Sequence, residues 1–335
     1  MGRSESSRVR SGESGAKFSP RDPHLCAESA VLLADKGDFT AAVGQLEKIP
    51  AQVRDADQWE LLGRIYLSAG NLPKAEESLR QVLRTKPEWI PVLRQLAGIA
   101  LKEGDNQKAG AYMLRAVRLA PSSPDLLYEY AQVCLQSGFS GEAVRTMRNA
   151  LRLEPDRPEF LYLMGEALTE TPDYHEALAY FKHYQELRPQ DANGETSLGW
   201  SFYLEQNYDE SRRHFEGALQ LNPNQADAVY HLGMIAFELN DQPKALELLK
   251  RSIELMPNDA RPRLGLGMLY LRSEDTYGLA RKELENSVSL DPTEPKAHYQ
   301  LSQAYTRLGE TALAKKELDA FKAASKDPID ALSYE

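Results

Sequence analysis

Histidine, cysteine and paired carboxylates are the side chains that would ligate a metal or move a proton, and their spacing in this chain suits neither task. The six histidines, His24, His175, His183, His214, His231 and His298, are scattered, and His175 and His183 have no cysteine or third ligand at metal-site spacing. Cys26 and Cys134 are the two cysteines, too few and too far apart to build a disulfide framework, which fits a reducing compartment. Asp173 and Glu176 stand at a turn and a helix start, where acids complement the helix dipole, so their role reads as structural. There is no glycine-rich phosphate loop, no nucleophile elbow and no metalloprotease histidine pair. The chain is expected to bind rather than to catalyse, with no cofactor and no metal.

The elements that would position a binding surface are written in a period. Pro87, Pro121, Pro155, Pro189, Pro223 and Pro257 stand 34 residues apart, and Ala75, Ala109, Ala143, Ala177, Ser211 and Ala245 run in step with them. A fixed period of this length marks a solenoid, whose units bury their apolar faces only against neighbours. Nine units follow, at 23–55, 56–89, 90–123, 124–157, 158–191, 192–225, 226–259, 260–294 and 295–328. Each carries a small residue at position eight: Ala30, Gly63, Ala97, Ala131, Gly165, Gly199, Gly233, Gly267 and Ser302. Twelve places on stands a second, with Ala42, Ala280 and Ala314 extending the earlier set.

Large apolar residues at helical spacing, such as Trp59, Leu62 and Tyr66, then Leu79 and Leu83, give each unit two amphipathic helices. Gly70-Asn71, Gly104-Asp105 and Gly138-Phe139 part them, since glycine ends a helix in the left-handed conformation without steric penalty. The terminal proline restrains the residue before it and stops the second helix. Four units depart from the pattern. The first breaks early at Ile49-Pro50, as a capping repeat would, and the fifth has Pro172 where others have glycine. The eighth carries one extra residue within Arg272 to Gly278, moving its proline to Pro292. The ninth ends in Lys326, after a helix bearing Lys315, Lys316, Asp319 and Lys322 that can face water as the end cap.

The pattern Trp59, Leu62, Gly63, Tyr66, Ala75, Leu79, Val82, Pro87 resembles the tetratricopeptide repeat, and the resemblance covers about nine-tenths of the chain. It implies an all-α fold: an α-solenoid of about nine helix-turn-helix repeats in a right-handed superhelix, first helices lining a concave groove and second helices facing outward. Chaperone-binding members of the family hold a terminal carboxylate with lysine, asparagine and arginine spread over three consecutive units. The nearest fragments here, Arg94 with Gly98 and Arg261 with Gly265, lack those partners, so a carboxylate clamp is not expected.

With positions eight and twenty holding the helices together, positions two, five, nine and twelve share another face of each first helix. That stripe reads Tyr128, Gln132 and Leu135 in the fourth unit, Tyr162, Glu166 and Thr169 in the fifth, and Trp200 and Tyr203 in the sixth. It continues with Tyr230, Met234 and Phe237, then Leu264, Met268 and Leu271, then Tyr299, Gln303 and Thr306. Aromatic and methionine side chains of this kind carry binding energy at interfaces. Beside them, residues 158–205 hold nine acids, Glu159, Glu166, Glu170, Asp173, Glu176, Glu186, Asp191, Glu195 and Glu205, against Lys182 and Arg188, a balance of −7. The stripe has two readings. It is a groove for an extended or helical segment whose apolar anchors are flanked by basic residues that meet Glu166 and Glu170, or it packs adjacent first helices together. The acid cluster likewise reads as a selectivity device or as a solvated face.

The net charge of −10 argues against nucleic acid and anionic membranes as partners, including the RNA read by other helical repeats. The expected function is a protein-interaction scaffold or adaptor. The alternatives are a recruiting or regulatory part of a larger enzyme or of a secretion or assembly complex, and self-association through the groove into a homo-oligomer. Residues 1–21 are too polar for a signal-peptide core and read as a disordered tail, and 329–335 as a short one; no run is long enough to span a membrane. A cytoplasmic location is expected, an exported form with its leader missing being the other reading. Met1-Gly2 with Ser6 also fits the loose N-myristoylation pattern.

Overall fold

The structure is a computed structural model and describes residues 22–325. The tails, the acylation pattern at Gly2 and Lys326 lie outside the described residues. Among those described, eighteen α-helices and three short 3-10 turns form two compact units that divide between Phe139 and Ser140. The first unit holds the hairpins α1 (Pro23–Asp35) with α2 (Phe39–Glu47), α3 (Ala56–Ser68) with α4 (Leu72–Thr85), and α5 (Ile90–Lys102) with α6 (Asn106–Leu119), then α7 (Pro124–Gln136). The second opens on α8 (Ser140–Leu153). It continues as α9 (Pro158–Thr169) with α10 (Ala177–Leu187), α11 (Ala192–Leu204) with α12 (Tyr208–Leu221), and α13 (Ala226–Glu238) with α14 (Gln242–Leu255). It closes with α15 (Ala260–Tyr270) with α16 (Tyr277–Leu290) and α17 (Pro295–Arg307) with α18 (Thr311–Ala324). None of the described helices is long and apolar enough to cross a membrane.

The helices begin and end for local reasons. Asp22, Asp38, Asp55, Asn71, Asp105, Ser123, Asp191, Asn207, Asp241 and Asp259 each accept a backbone N–H of the first turn, which otherwise lacks a partner. At the far end of each repeat the residue before the proline leaves the helical region, as at Lys86 (φ −124°, ψ 72°) and Asn222 (φ −139°, ψ 99°). Between the two helices, Gly37, Gly70, Gly104, Gly138 and Gly309 take positive φ. Gln206 (φ 57°) and Asn240 (φ 61°) occupy the same register place with side chains attached. Their bonds copy those of a glycine turn: Asp241 N–H donates to the Ala236 carbonyl at 2.8 Å as Asn71 N–H does to that of Tyr66. The two irregular turns, after Pro172 and after Arg272, each contain a 3-10 turn, Tyr174–Glu176 and Glu274–Thr276.

Close approach inside a hairpin centres on positions eight and twenty. Ala42, Ala75, Ala109, Ala143, Ala177, Ala245 and Ala280 have no exposed surface; Ala314, on α18, is half-buried. Ser211 fits the same slot because its hydroxyl donates to the Gly199 carbonyl at 2.8 Å. A Cβ on Gly165 would lie 2.5 Å from Phe181, and one on Gly267 2.5 Å from Leu284, so a large residue at position twenty-four rests directly on the glycine of the first helix. On α18, Lys315, Lys316, Asp319 and Lys322 are exposed.

Candidate functional site

In the second unit α11 adjoins α13, α13 adjoins α15, and α15 adjoins α17, so the first helices form a continuous wall. A hydrogen bond from Ser197 Oγ to Tyr162 Oη (3.3 Å) ties α9 to α11. Position two serves as structural rungs: Arg188 pairs with Glu159 (3.4 Å), Gln225 donates to Asn193 (2.9 Å) and Arg261 pairs with Asp227 (2.9 Å). Position five leans into the hairpins. The ring of Tyr162 lies 5.7 Å from that of Phe181 and 5.0 Å from that of Tyr184, and Tyr299 lies 5.5 Å from Phe321.

Positions nine and twelve form the apolar part of the wall. The structure brings Tyr203, Tyr230, Met234, Phe237 and Met268 into one cluster, in which Met234 and Phe237 are buried and the other three are half-buried. Trp200 stacks on Tyr203, with centroids 5.5 Å apart and planes 14° from parallel, and both remain half-exposed. Phe237 is covered by the Arg272 guanidinium, 3.8 Å from its ring centre, which is held there by Asn240 Oδ1 at 2.8 Å. Packing between neighbouring first helices therefore accounts for Met234 and Phe237, while Trp200, Tyr203 and Met268 keep surface to offer. Glu166 is exposed beside this wall. Tyr128 and Gln132, both half-buried, lie on α7 in the other unit.

Sequence reading missed the residue at the centre of the cluster. His231 is buried among Trp200 (4.7 Å), Tyr230 (4.8 Å), Phe215 (5.0 Å) and Tyr203 (5.8 Å), and its Nδ1 has no hydrogen-bond partner. Burial, aided by the Arg261 charge, pushes its pKa down to about 3, so the imidazole is neutral. Burial also raises the Tyr230 hydroxyl to about 12 and lifts Tyr203 still further. The Glu166 carboxyl is raised by loss of hydration alone.

A second feature escaped the periodic reading because its residue types vary. Positions four and twenty-three, the latter one place later in the eighth unit, meet across three hairpins as a carboxylate with a histidine or arginine: Glu195 with His214 (2.8 Å), Arg263 with Glu283 (2.9 Å) and His298 with Glu317 (2.7 Å). The order of acid and partner reverses between them, and the signal lay in a glutamate with a histidine or arginine nineteen or twenty residues away. Two of the six histidines are thereby structural. Among the described residues no group of three or more histidine, cysteine, aspartate or glutamate side chains could hold a metal ion.

Stacked helix hairpins with small residues at two fixed places and a first-helix wall define a class of all-α repeat scaffold. The chain belongs to the tetratricopeptide repeat family: models of that repeat match residues 28–88, 92–123, 128–192 and 196–260. The last two hairpins lie beyond those matches, although the structure builds them in the same way. A tetratricopeptide repeat protein from Parabacteroides merdae superposes with a TM-score of 0.68 at 18% identity, over 74% of this chain and 98% of that one. A human IFIT1 dimer solved with m7Gppp-AAAA superposes with a TM-score of 0.56 at 16% identity, over 93% of this chain and 75% of its own. At these identities the likeness concerns the fold. A comparison with curated proteins finds no match. The family and fold are those of an interaction scaffold.

Proposed function

We propose that the chain is a non-enzymatic adaptor whose first-helix wall in residues 158–307 takes a segment of a partner protein. The observation that carries this reading is the stacked, half-exposed pair Trp200 and Tyr203, continuous with Tyr230 and Met268 and flanked by the exposed Glu166. Aromatic rings on rigid helices offer large contact area at little entropic cost, which is why such residues dominate interface energetics. The segment it suits has apolar anchors for the Trp200 to Met268 wall and a lysine or arginine that meets the exposed Glu166 carboxylate. Nucleic acid is not the expected ligand of this face, because residues 158–205 hold nine acids against two bases.

Randomised peptides displayed against the full chain test this. Enrichment of sequences with spaced apolar residues and a basic flank is expected, with binding abolished by Trp200→Glu with Tyr230→Glu while far-ultraviolet circular dichroism is unchanged. Selected peptides that bind the double variant as well as the parent would sink the reading, as would single-stranded RNA that displaces them.

A further inference from the structure

A cleft of about 710 Å³ opens on a different part of the second unit, where α8 and α10 meet the start of α9. Arg145, Arg148 and Arg152 line it, three and four residues apart and therefore on one face of α8; His183 and Tyr180 line it from α10. Leu161 contributes to an apolar floor. No carboxylate lines the cleft, although the chain as a whole carries ten more acids than bases. The acids stand around it instead. Glu142 pairs with Arg145, Glu176 with Arg148 at 3.1 Å and Asp156 with His183 at 3.1 Å. Arg152 donates to the neutral Asn149.

Arg145 and Arg148 expose 75% and 54% of their side chains, and exposed ion pairs of that kind contribute little, so a better anion displaces or shares them. A guanidinium has five N–H donors, and each of these three spends few of them on its present partner. Three guanidiniums along one face of α8, beside the apolar Leu161, match a compact dianion with three or more acceptor oxygens carried on an apolar body. The surrounding ring of Glu142, Asp156 and Glu176 selects further. It repels an extended polyanion or an anionic membrane surface most, and a single dianion binds where its bonds to the arginines outweigh the same repulsion. We infer that this cleft is a second recognition site, which takes a phosphorylated side chain of a partner protein, phosphoryl group to the arginines and apolar body toward Leu161 and Tyr180.

Calorimetric titration of the full chain with phenyl phosphate, inorganic phosphate, benzoate and poly(U) tests it. Phenyl phosphate is expected to bind about tenfold more tightly than inorganic phosphate or benzoate, because only it offers both dianion and ring. Arg148→Gln with Arg152→Gln is expected to weaken it at least about tenfold, with the melting temperature held, while Lys182→Gln, outside the cleft, leaves binding unchanged. Equal binding by the arginine double variant, equal affinity for benzoate, or displacement by poly(U) at lower phosphate concentration would overturn the assignment; the last would make the site one for nucleic acid. If the double variant melts early, Arg145→Gln and Arg152→Gln are titrated singly, and phenyl phosphate affinity unchanged in both rejects the site.

Discussion

In residues 22–139 glycine stands at the turns, at Gly37, Gly70, Gly104 and Gly138, and alanine fills most of the position-eight slots, at Ala30, Ala97 and Ala131. In residues 140–325 the assignment is largely reversed. Gly165, Gly199, Gly233 and Gly267 lie inside first helices, whereas the turns use Gln206, Asn240, two 3-10 loops and, in the last hairpin alone, a glycine, Gly309. On two of these glycines the facing residue is aromatic, Phe181 on Gly165 and Phe215 on Gly199, while Leu249 and Leu284 face Gly233 and Gly267 as Leu79 faces Gly63 in the first unit. Glycine inside a helix costs about 1 kcal/mol relative to alanine, so the second unit gives up local helix preference for tertiary contact. Its outer stripe differs in the same sense. Position two carries polar rungs in both units, Asp57 with Lys86 in the first and Asp227 with Arg261 in the second, but at position five Glu60 accepts from Trp89 Nε1 at 3.0 Å and Arg94 forks onto Glu129 in the first unit, whereas Trp200 stacks on Tyr203 in the second. One repeat pattern thus supports polar pairs at position five in one unit and stacked rings at positions nine and twelve in the other.

The largest expected consequence is in binding. Trp200→Ala is expected to weaken peptides selected on the full chain by about 2–4 kcal/mol, roughly thirtyfold to a thousandfold, because a half-buried aromatic anchor is lost. Arg94→Ala in the first unit is expected to change the same affinity by less than about 0.5 kcal/mol, since its guanidinium is engaged with Glu129. Anisotropy titration of one labelled peptide against both variants measures the contrast. Equal losses would erase the functional distinction between the units.

Next comes the packing contrast. Gly165→Ala and Gly267→Ala place a methyl group 2.5 Å from Phe181 or Leu284 and are expected to destabilise the protein by about 1–3 kcal/mol. Gly98→Ala and Gly110→Ala, also within helices but with nothing within 4 Å of the new atom, are expected to be neutral or stabilising by up to about 1 kcal/mol. Urea midpoints distinguish the two pairs.

The 34-residue period made the hairpins, the buried position-twenty residues and the exposed end helix legible, because those depend on residue size at fixed places. Position twenty-four was legible in Leu79 but not as the residue laid on glycine, since that contact appears only once two helices cross. The stripe was legible as a face of a helix. Which of its members keep surface was not, because Met234 and Phe237 are buried by neighbouring helices and by Arg272, whose place depends on an inserted loop. His231 and the α8 cleft were invisible for a related reason: both join residues from different helices in a register the repeat does not fix.

A third contrast concerns acid. His231 titrates at about 3 in the folded chain and near 6.5 when unfolded, so between those values the unfolded state binds the extra proton. Stability is therefore full above about pH 6.5 and falls as pH drops below it, by roughly 1 kcal/mol per pH unit from this group. His231→Gln is expected to remove that part of the acid dependence, read as a flatter plot of urea midpoint against pH between 6.5 and 4.5. No first-unit helix buries a histidine, His24 being exposed, so His24→Gln is expected to leave the plot unaltered.

The smallest effects lie at the turns. Gln206 and Asn240 hold positive φ with a Cβ attached, a conformation that costs ordinary residues about 1 kcal/mol or more and asparagine less. Replacing either with glycine removes that strain but also loosens the unfolded chain, which offsets part of the gain. Gln206→Gly is accordingly expected to stabilise by up to about 1 kcal/mol. Asn240→Gly is expected to gain less, because asparagine tolerates the left-handed region and its Oδ1 also holds Arg272 over Phe237. Gly70→Gln in the first unit reverses the exchange and is expected to cost about 1 kcal/mol. Hydrogen exchange of the Asn207, Asp241 and Asn71 amides, which close the three turns onto Phe202, Ala236 and Tyr66, reads the effects locally. If Asn240→Gly slowed exchange more than Gln206→Gly, the Asn240 turn would be the more strained of the two, and the link through Arg272 would contribute nothing to holding it.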